Sequence, residues 1–229
     1  MNRTMPAGCL PLFILFFLLV LFPLILADAM LAALEKLGLS PAMSLLVAIG
    51  IFLGGVVNIP VRKVPGDRTI EASPVQLFGF DRLFPRRVQQ KPDITIAVNL
   101  GGCVIPCCIV LYELWRLVAV GPGALLAAGA AATLNIILCY KLARPVPGIG
   151  IALSPLIPAL VAAVTAVLLG GAAAAPPLAF VSGVLGPLVG ADLLNLDKIR
   201  RIATGTASIG GAGTFDGIVL SGLVAVLLA

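Results

Sequence analysis

Residues 10–27 read LPLFILFFLLVLFPLILA, eighteen consecutive residues without a charged side chain. A helix that crosses a bilayer needs about 20 mostly apolar residues, so this run predicts a membrane-spanning helix. Six further apolar windows follow along the chain: 41–60, 94–112, 122–140, 148–170, 177–195 and 215–229. The sequence therefore predicts an all-α, polytopic helical membrane protein with about seven spans, which form one transmembrane domain over residues 1–229.

The composition of the whole chain agrees with this fold class. Of its 229 residues, 60% are hydrophobic and 11% are charged, whereas about 25% of the residues in a soluble domain are charged. The chain has no histidine, which excludes Ser-His-Asp catalysis, Cys-His catalysis and HExxH zinc sites. Many of its 25 glycines and 18 prolines occur within apolar stretches, so we expect helices that are broken, kinked or closely packed.

Basic residues are distributed unevenly among the predicted loops. Thirteen of the fifteen lie before the first span or in loops 61–93, 141–147 and 196–214, and these alternate with loops that hold only Lys36 and Arg116. Cytoplasmic loops of membrane proteins collect Lys and Arg. We therefore expect a multi-pass protein of the inner (plasma) membrane with a cytoplasmic N-terminus, an external C-terminus and the lipid bilayer as its partner. The net charge of +5 reflects this bias and does not predict nucleic-acid binding.

The first apolar run also has the position of a signal peptide, because Arg3 precedes it. The run is longer than the apolar part of a usual signal peptide, and no small-residue cleavage site of the right kind follows it. We therefore expect it to remain as the first helix.

The largest predicted loop, 61–93, is cytoplasmic in this topology and too short for a domain with its own core. Residues 75–87 mix Phe and Leu with Arg. Aromatic and aliphatic side chains suit the boundary of the acyl chains, and guanidinium groups suit anionic headgroups. The mixture favours an interfacial segment over a solvated loop that only caps the bundle.

The five cysteines, at positions 9, 103, 107, 108 and 139, all fall in apolar windows. Thiols in such places pack as small hydrophobic groups. Cys103 and Cys107 are spaced to share one helix face, yet no histidine or carboxylate lies near them in the sequence to complete a metal site. We therefore predict no bound metal and no other cofactor.

Two carboxylates inside predicted spans are the strongest candidates for a functional site, because a charged group in hydrocarbon is costly unless it has a partner. Asp192 ends span six in GPLVGADLLN at 186–195, and Asp216 opens span seven in SIGGAGTFDG at 208–217. The loop between these spans is cytoplasmic, so an antiparallel hairpin places both carboxylates at a similar depth. Glycines four residues apart in both stretches permit close backbone approach.

We predict from this placement that the two aspartates share one site, which holds a proton or a small cation. The GGAG turn at 210–213 resembles an ion-binding turn before a helix start. The structural alternative is that Asp216 only caps the last helix and that Asp192 pairs with Lys198 or Arg200.

A second polar segment, NLGGCVIP at 99–106, lies in predicted span three. Two glycines followed by a proline favour a broken helix whose freed carbonyl groups coordinate ions. The alternative is an interhelical hydrogen bond of the Asn99 amide. The complete predicted ion-binding site comprises Asp192, Asp216, Asn195, Asn99, Gly211 and Gly213.

Four stretches of the sequence carry a family resemblance: NLGGCVIP at 99–106, ARPVPGIGI at 143–151, GADLLNL at 190–196 and SIGGAGTFDGI at 208–218. They resemble a prokaryotic integral-membrane family that is catalogued only as a domain of unknown function. The resemblance covers most of the chain from about Gly50 onward. It implies a polytopic membrane architecture and names no activity.

The chain is also weakly similar to the intramembrane aspartyl proteases of the presenilin and prepilin-peptidase group. The resemblance implies two catalytic membrane aspartates, one of them in a Gly-x-Gly-Asp motif. Here two extra residues separate Gly211-Ala212-Gly213 from Asp216. The triplet Pro158-Ala159-Leu160 precedes the aspartates, whereas the Pro-Ala-Leu triplet of these proteases follows them.

Three functions fit the predicted architecture, and whether the chain is an enzyme stays open. Asp192 and Asp216 would be the catalytic acid and base of an intramembrane protease. The same aspartates, with the other predicted site residues, would hold the cation or proton of a coupled transporter. Many transporters contain an inverted repeat, but none is detectable in this sequence, so a homo-oligomer would supply the symmetry. The third function is a non-enzymatic membrane scaffold. The sequence favours transport slightly over proteolysis, and either over the scaffold.

Overall fold

Apolar sequence folds into helix along most of the chain, as the composition predicts. The computed structural model describes residues 10–65, 70–72, 88–90, 93–146, 150–198 and 205–229. The helices in these ranges are α1 (Leu10–Phe16), α2 (Phe22–Lys36), α3 (Pro41–Gly54), α4 (Ile105–Val120), α5 (Pro122–Leu142), α6 (Leu156–Gly171), α7 (Ala173–Lys198) and α8 (Gly217–Leu228). A π-helical turn, Phe17–Leu21, makes α1 and α2 continuous, and another, Leu100–Val104, leads into α4.

Four of these segments are long and apolar enough to cross a membrane: Phe13–Lys36, Leu100–Val120, Pro122–Leu142 and Ala173–Lys198. The other three, α3, α6 and α8, are apolar but shorter. If α1 and α2 are counted as one helix, the described ranges contain seven helices, and the sequence predicts seven spans. The described residues therefore form a mostly helical fold with four segments of spanning length, which is compatible with a membrane protein.

Proline and glycine set the helix ends, as the sequence predicts. Helices α3 and α5 begin at proline, which suits the first turn because it needs no N–H donor there. Gly171, with a φ of +64°, ends α6 and separates it from α7. In this region of backbone space glycine alone is unstrained. The chain can therefore reverse direction between two apolar helices without a polar loop.

The prediction of an all-α fold needs one correction, because the described ranges also contain strands. Three form a sheet in the order β1-β4-β7. The strands are β1 (Asn58–Pro65), β2 (Ile70–Ala72), β3 (Val88–Gln90), β4 (Asp93–Asn99), β5 (Arg144–Val146), β6 (Gly150–Ala152) and β7 (Thr206–Ile209). Strand β4 pairs antiparallel with β1 and parallel with β7, and β2–β3 and β5–β6 are antiparallel pairs.

These strands shorten three of the predicted spans. Predicted span three begins at 94, but residues 93–99 are β4 and helical structure starts at Leu100. The ends of predicted spans two and five are likewise occupied by β1 and β6. Segment 93–99 is rich in β-branched residues, which favour strands. Much of the predicted loop 61–93 lies outside the described residues.

Glycine lets three chain segments cross where the strands meet the helices. These segments, 51–55, 101–102 and 210–213, form what we call the glycine crossing. A Cβ atom on Gly101 would collide with the carbonyl oxygen of Ile51, and one on Gly102 would collide with that of Gly210. At the same crossing, a Cβ on Gly213 would lie 2.8 Å from the Cα of Gly55. The backbones are therefore in direct contact, and a larger residue at these positions has no room.

Helices α5 and α7 pack closely around the buried amide of Asn135. Its Nδ2 donates to the carbonyl oxygens of Ser182 (2.9 Å) and Pro158 (3.2 Å). A Cβ on Gly186 would lie 2.6 Å from this Nδ2, and one on Gly190 would collide with the backbone of α5. The predicted close approach at Gly186 and Gly190 is therefore present, and it fixes the end of α7 that carries Asp192.

Candidate functional site

Asp192 lies where α7 loses its regular helical geometry. The helix becomes π-helical over Gly186–Asp192 and then forms a 3₁₀ turn over Leu193–Asn195. Pro187 sits in this widened segment, where it lacks an N–H donor for the regular ladder. Such π-helical segments occur frequently at functional sites. The irregular end of α7 leaves the Asp192 side chain half-buried.

Asp216 caps the N-terminus of α8. It follows the 3₁₀ turn Gly213–Phe215, and its carboxylate accepts backbone N–H groups from Ile218 (3.0 Å) and Ala212 (3.3 Å). The capping role that the sequence offered as an alternative is therefore present. Each carboxylate oxygen accepts one of these N–H groups, and the side chain is half-buried.

Both carboxylates line one cavity of about 390 Å³. The other walls include the four residues of β7, the turn that follows it over 210–212, and Gly150 and Ile151 from β6. Of the six residues predicted for the site, the cavity brings together Asp192, Asp216 and Gly211. Two carboxylates that face one small space can share a proton, divide acid and base roles, or hold a cation.

Neither aspartate forms an ion pair with another residue of the described ranges. Lys198, which the sequence offered as a partner for Asp192, instead places its Nζ 5.3 Å from the centroid of the Tyr140 ring. Arg200, the other predicted partner, lies outside the described residues. Within those ranges the two carboxylates therefore differ in their surroundings: Asp216 is anchored by two N–H groups, and Asp192 accepts no hydrogen bond from another described residue.

Asn99 lies at the glycine crossing and not on the cavity wall. Its Nδ2 donates to the carbonyl oxygen of Gly55 (2.8 Å) and to Oδ1 of Asn58 (3.1 Å), while its Oδ1 accepts the N–H of Gly102 (2.7 Å). Ser208 of β7 donates to the same Oδ1 of Asn58. The buried Asn99 amide therefore joins β1 and β4 to the turn that leads into α4. It does not line the cavity that holds the two aspartates.

The remaining two predicted site residues, Asn195 and Gly213, lie next to the cavity walls and do not line the cavity. Nδ2 of Asn195 donates to the carbonyl oxygens of Gly190 (3.0 Å) and Ala191 (2.9 Å), which secures the widened end of α7. Its Oδ1 is buried and has no partner among the described residues. Gly213 packs against Gly55 and does not line the cavity.

The sequence analysis missed one buried carboxylate. Glu113 directly follows predicted span three, 94–112, and the structure places it in α4 with its side chain fully buried. Oε2 of Glu113 lies 3.0 Å from Nη1 of Arg116, which also donates to the carbonyl oxygen of Leu37. The i, i+3 spacing of the two charges was the signal that could have found this pair. The pair joins α4 to the end of α2.

Replacing Arg116 with alanine should destabilise the protein by about 2 kcal/mol, because the Glu113 carboxylate would stay buried without its cation. The loss is smaller than for a fully buried pair, since 38% of the Arg116 side chain is exposed. The double variant Glu113→Gln/Arg116→Ala should recover part of it, because the amide carries no charge. Thermal melting of the detergent-purified proteins measures both effects, and equal melting temperatures for the single and double variants would contradict the prediction.

The fold and the site together define a mostly helical protein with several helices apolar enough to span a membrane and two acidic side chains at helix ends that face one cavity. Over residues 52–228 the sequence matches the family described as "Protein of unknown function (DUF1614)", and the chain belongs to that family. The resemblance to a family of unknown function is thereby confirmed. No curated protein and no solved structure matches the chain.

Proposed function

We propose that the chain is an integral protein of the inner membrane in which Asp192 and Asp216 form one site that hydrolyses peptide bonds. The observation that carries the proposal is the shared cavity, where two carboxylates in different surroundings face the same space. Pairs of acids that differ in this way can divide the roles of general acid and general base.

The division of roles follows from the contacts of each carboxylate. N–H donors stabilise a charged carboxylate, so Asp216, which accepts two of them, is assigned as the base. It removes a proton from water, whose oxygen attacks the carbonyl carbon of the peptide. Asp192 holds the other proton and gives it to the carbonyl oxygen, which yields a gem-diol. The C–N bond then breaks as the leaving nitrogen takes up the proton that Asp216 received. At the same time one hydroxyl group of the gem-diol returns its proton to Asp192, so a carboxylic acid and an amine form and both aspartates regain their starting protonation.

The walls of the cavity favour hydrolysis of a peptide over transport of an ion. One wall is an edge strand, β7, which offers main-chain groups for an extended polypeptide. A bare cation needs only oxygen ligands around one point, whereas an edge strand offers N–H donors as well as carbonyl acceptors in a row.

Ion- or proton-coupled transport is the second candidate, and the broken ends of α7 and α8 favour it. Half-helix ends and unwound backbone coordinate ions in many transporters. The site would then comprise the two carboxylates with Asn99, Asn195, Gly211 and Gly213 behind them. A homo-oligomer would provide the symmetry that a single chain lacks.

The proposed topology places seven spans in the membrane, with the N-terminus and loop 61–93 in the cytoplasm and the C-terminus outside. It is supported by the distribution of basic residues. Alkaline phosphatase fused after Ala229 should therefore be active, and a fluorescent protein fused there should be dark. The opposite pair of results would show that the number of spans is wrong by an odd number.

Reconstitution into liposomes tests the proposed function against its alternatives. One preparation contains a labelled single-span reporter peptide, and mass spectrometry looks for two fragments, one of which has a new amino terminus. The other contains an entrapped pH dye and receives a proton or sodium gradient. We expect fragments and no flux that depends on the protein. Flux without fragments would establish the transport candidate, and neither signal would favour a scaffold.

A further inference from the structure

We infer that the open edge of β7 binds an extended segment of the substrate polypeptide as an added strand, beside Asp192 and Asp216. The inference rests on the proposed function and specifies how its substrate is recognised. It assigns a binding role to the main chain of Thr206–Ile209, which none of the predicted site residues includes.

The cavity lies along the edge of β7 and not over one of its faces. Successive side chains of a strand point to opposite faces of the sheet. All four consecutive residues of β7 nevertheless line the same cavity. A single cavity can meet four successive residues only along the edge, where the main-chain groups point. The sheet order β1-β4-β7 leaves that edge of β7 without a neighbouring strand in the described ranges.

The register with β4 identifies which main-chain groups point into the cavity. Thr95 of β4 is opposite Thr206, and its N–H donates to the carbonyl oxygen of Gly205 (2.9 Å). In a parallel pair the groups of alternate residues point to the same neighbour, so Ala207 and Ile209 face β4. The N–H and C=O groups of Thr206 and Ser208 therefore face the cavity.

Three of these four groups are available to a ligand. The carbonyl oxygen of Ser208 accepts the N–H of Gly211 (3.2 Å) in the turn that ends the strand. The N–H and C=O of Thr206 and the N–H of Ser208 have no strand partner among the described residues. An edge with unpaired groups in this arrangement is a template for strand addition.

The end of β7 leads directly to the carboxylates. The turn over 210–212 follows Ile209, and the N–H of Ala212 donates to the Asp216 carboxylate (3.3 Å). Four residues of strand span about 13 Å at roughly 3.3 Å per residue. A polypeptide paired with β7 would therefore continue past Ile209 into the space between the two aspartates. Gly150 and Ile151 of β6 form the wall on the other side of this path.

This mode of binding defines the class of substrate. Main-chain pairing reads an extended backbone and tolerates many side chains, whereas a helix has its N–H and C=O groups already paired. The substrates are therefore membrane-anchored polypeptides whose span unwinds readily where it leaves the bilayer on the side of the site. Small residues on the cavity wall, among them Ala191 and Gly211, leave room for varied side chains.

The test uses the full-length chain in nanodiscs with the Asp216→Asn change, so that a bound peptide is not cut. The probe is a synthetic peptide with a Leu/Ala span, a Val/Thr segment and two terminal lysines. Thr206→Pro removes one N–H from the open edge without removing a bond to β4, and it should weaken binding about tenfold. The matched control is Val61→Pro at the exposed bulge of β1, on the opposite edge of the same sheet, which should leave the affinity within twofold.

Amide hydrogen exchange gives a second measurement that needs no proline variant. Saturating peptide should slow exchange at Thr206 and Ser208 and leave Val61 unchanged. Absence of protection at these two amides, or unchanged binding by a folded Thr206→Pro variant, would overturn strand addition. If the wild-type chain still cuts the reporter in that case, the proposed hydrolysis stands without this mode of binding. If the peptide protects β7 but is never cut by the wild-type chain, the docking edge stands and the hydrolase assignment fails.

Discussion

Asparagine at position 192 or 216 should reduce peptide hydrolysis by about 10³-fold, which is the largest effect expected for any substitution in this chain. An amide has the size of a carboxyl group but can neither remove a proton from water nor deliver one to the peptide carbonyl. Because both roles are needed in one reaction, the double variant should be no slower than either single variant. The wild-type rate on the reporter peptide provides the reference.

The folded state should survive both changes. Asparagine caps a helix about as well as aspartate, so Asp216→Asn keeps an acceptor for the capping N–H of Ile218 and loses only the longer hydrogen bond from Ala212. The control variant is Asp197→Asn, which changes an exposed carboxylate of α7 that does not line the cavity. Full activity of either site variant, or an equal loss in Asp197→Asn, would show that the cavity carboxylates do not perform the chemistry.

The approximate positions of the helices and of the two aspartates can be predicted from local properties of the sequence, namely hydropathy and the order of the helices. Hydropathy locates an apolar helix without any knowledge of its neighbours, and the hairpin of α7 and α8 brings its two ends to one level. Asp192 and Asp216 could therefore be assigned to a common region in advance. Gly186 and Gly190 could be assigned to a close helix contact for the same reason, because their spacing is a local property.

The strands could not be predicted in the same way. A short apolar run has the same hydropathy in a strand and in a buried helix, so residues 94–99 were included in a predicted span. The pairing of β4 with β7 joins residues more than one hundred positions apart, and nothing local to either segment specifies it. The role of Asn99 depends on the same crossing, since its partners Gly55 and Asn58 come from a distant part of the chain. Glu113 was not predicted as a buried group because helix α4 continues beyond residue 112, the predicted end of its span.

The glycine crossing should be the most sensitive point of the fold. Gly102→Ala should destabilise the protein by about 3 kcal/mol, because its Cβ would collide with the carbonyl oxygen of Gly210 and neither backbone can move aside without breaking β4–β7. Gly129→Ala is the matched control, since a Cβ there meets nothing within 4 Å and the position lies inside α5. Alanine should stabilise that helix by about 0.5 kcal/mol.

Thermal melting in detergent should therefore show shifts of opposite sign for the same chemical change at two glycines. The contact of Gly102 with Gly210 also holds the turn that joins β7 to Asp216, so Gly102→Ala protein that remains folded should bind the probe peptide more weakly than Gly129→Ala. Equal melting temperatures for the two variants would mean that the three segments do not cross at this distance. The edge of β7 would then lack the support that places it beside the carboxylates, and the geometry of the proposed site would fail with it.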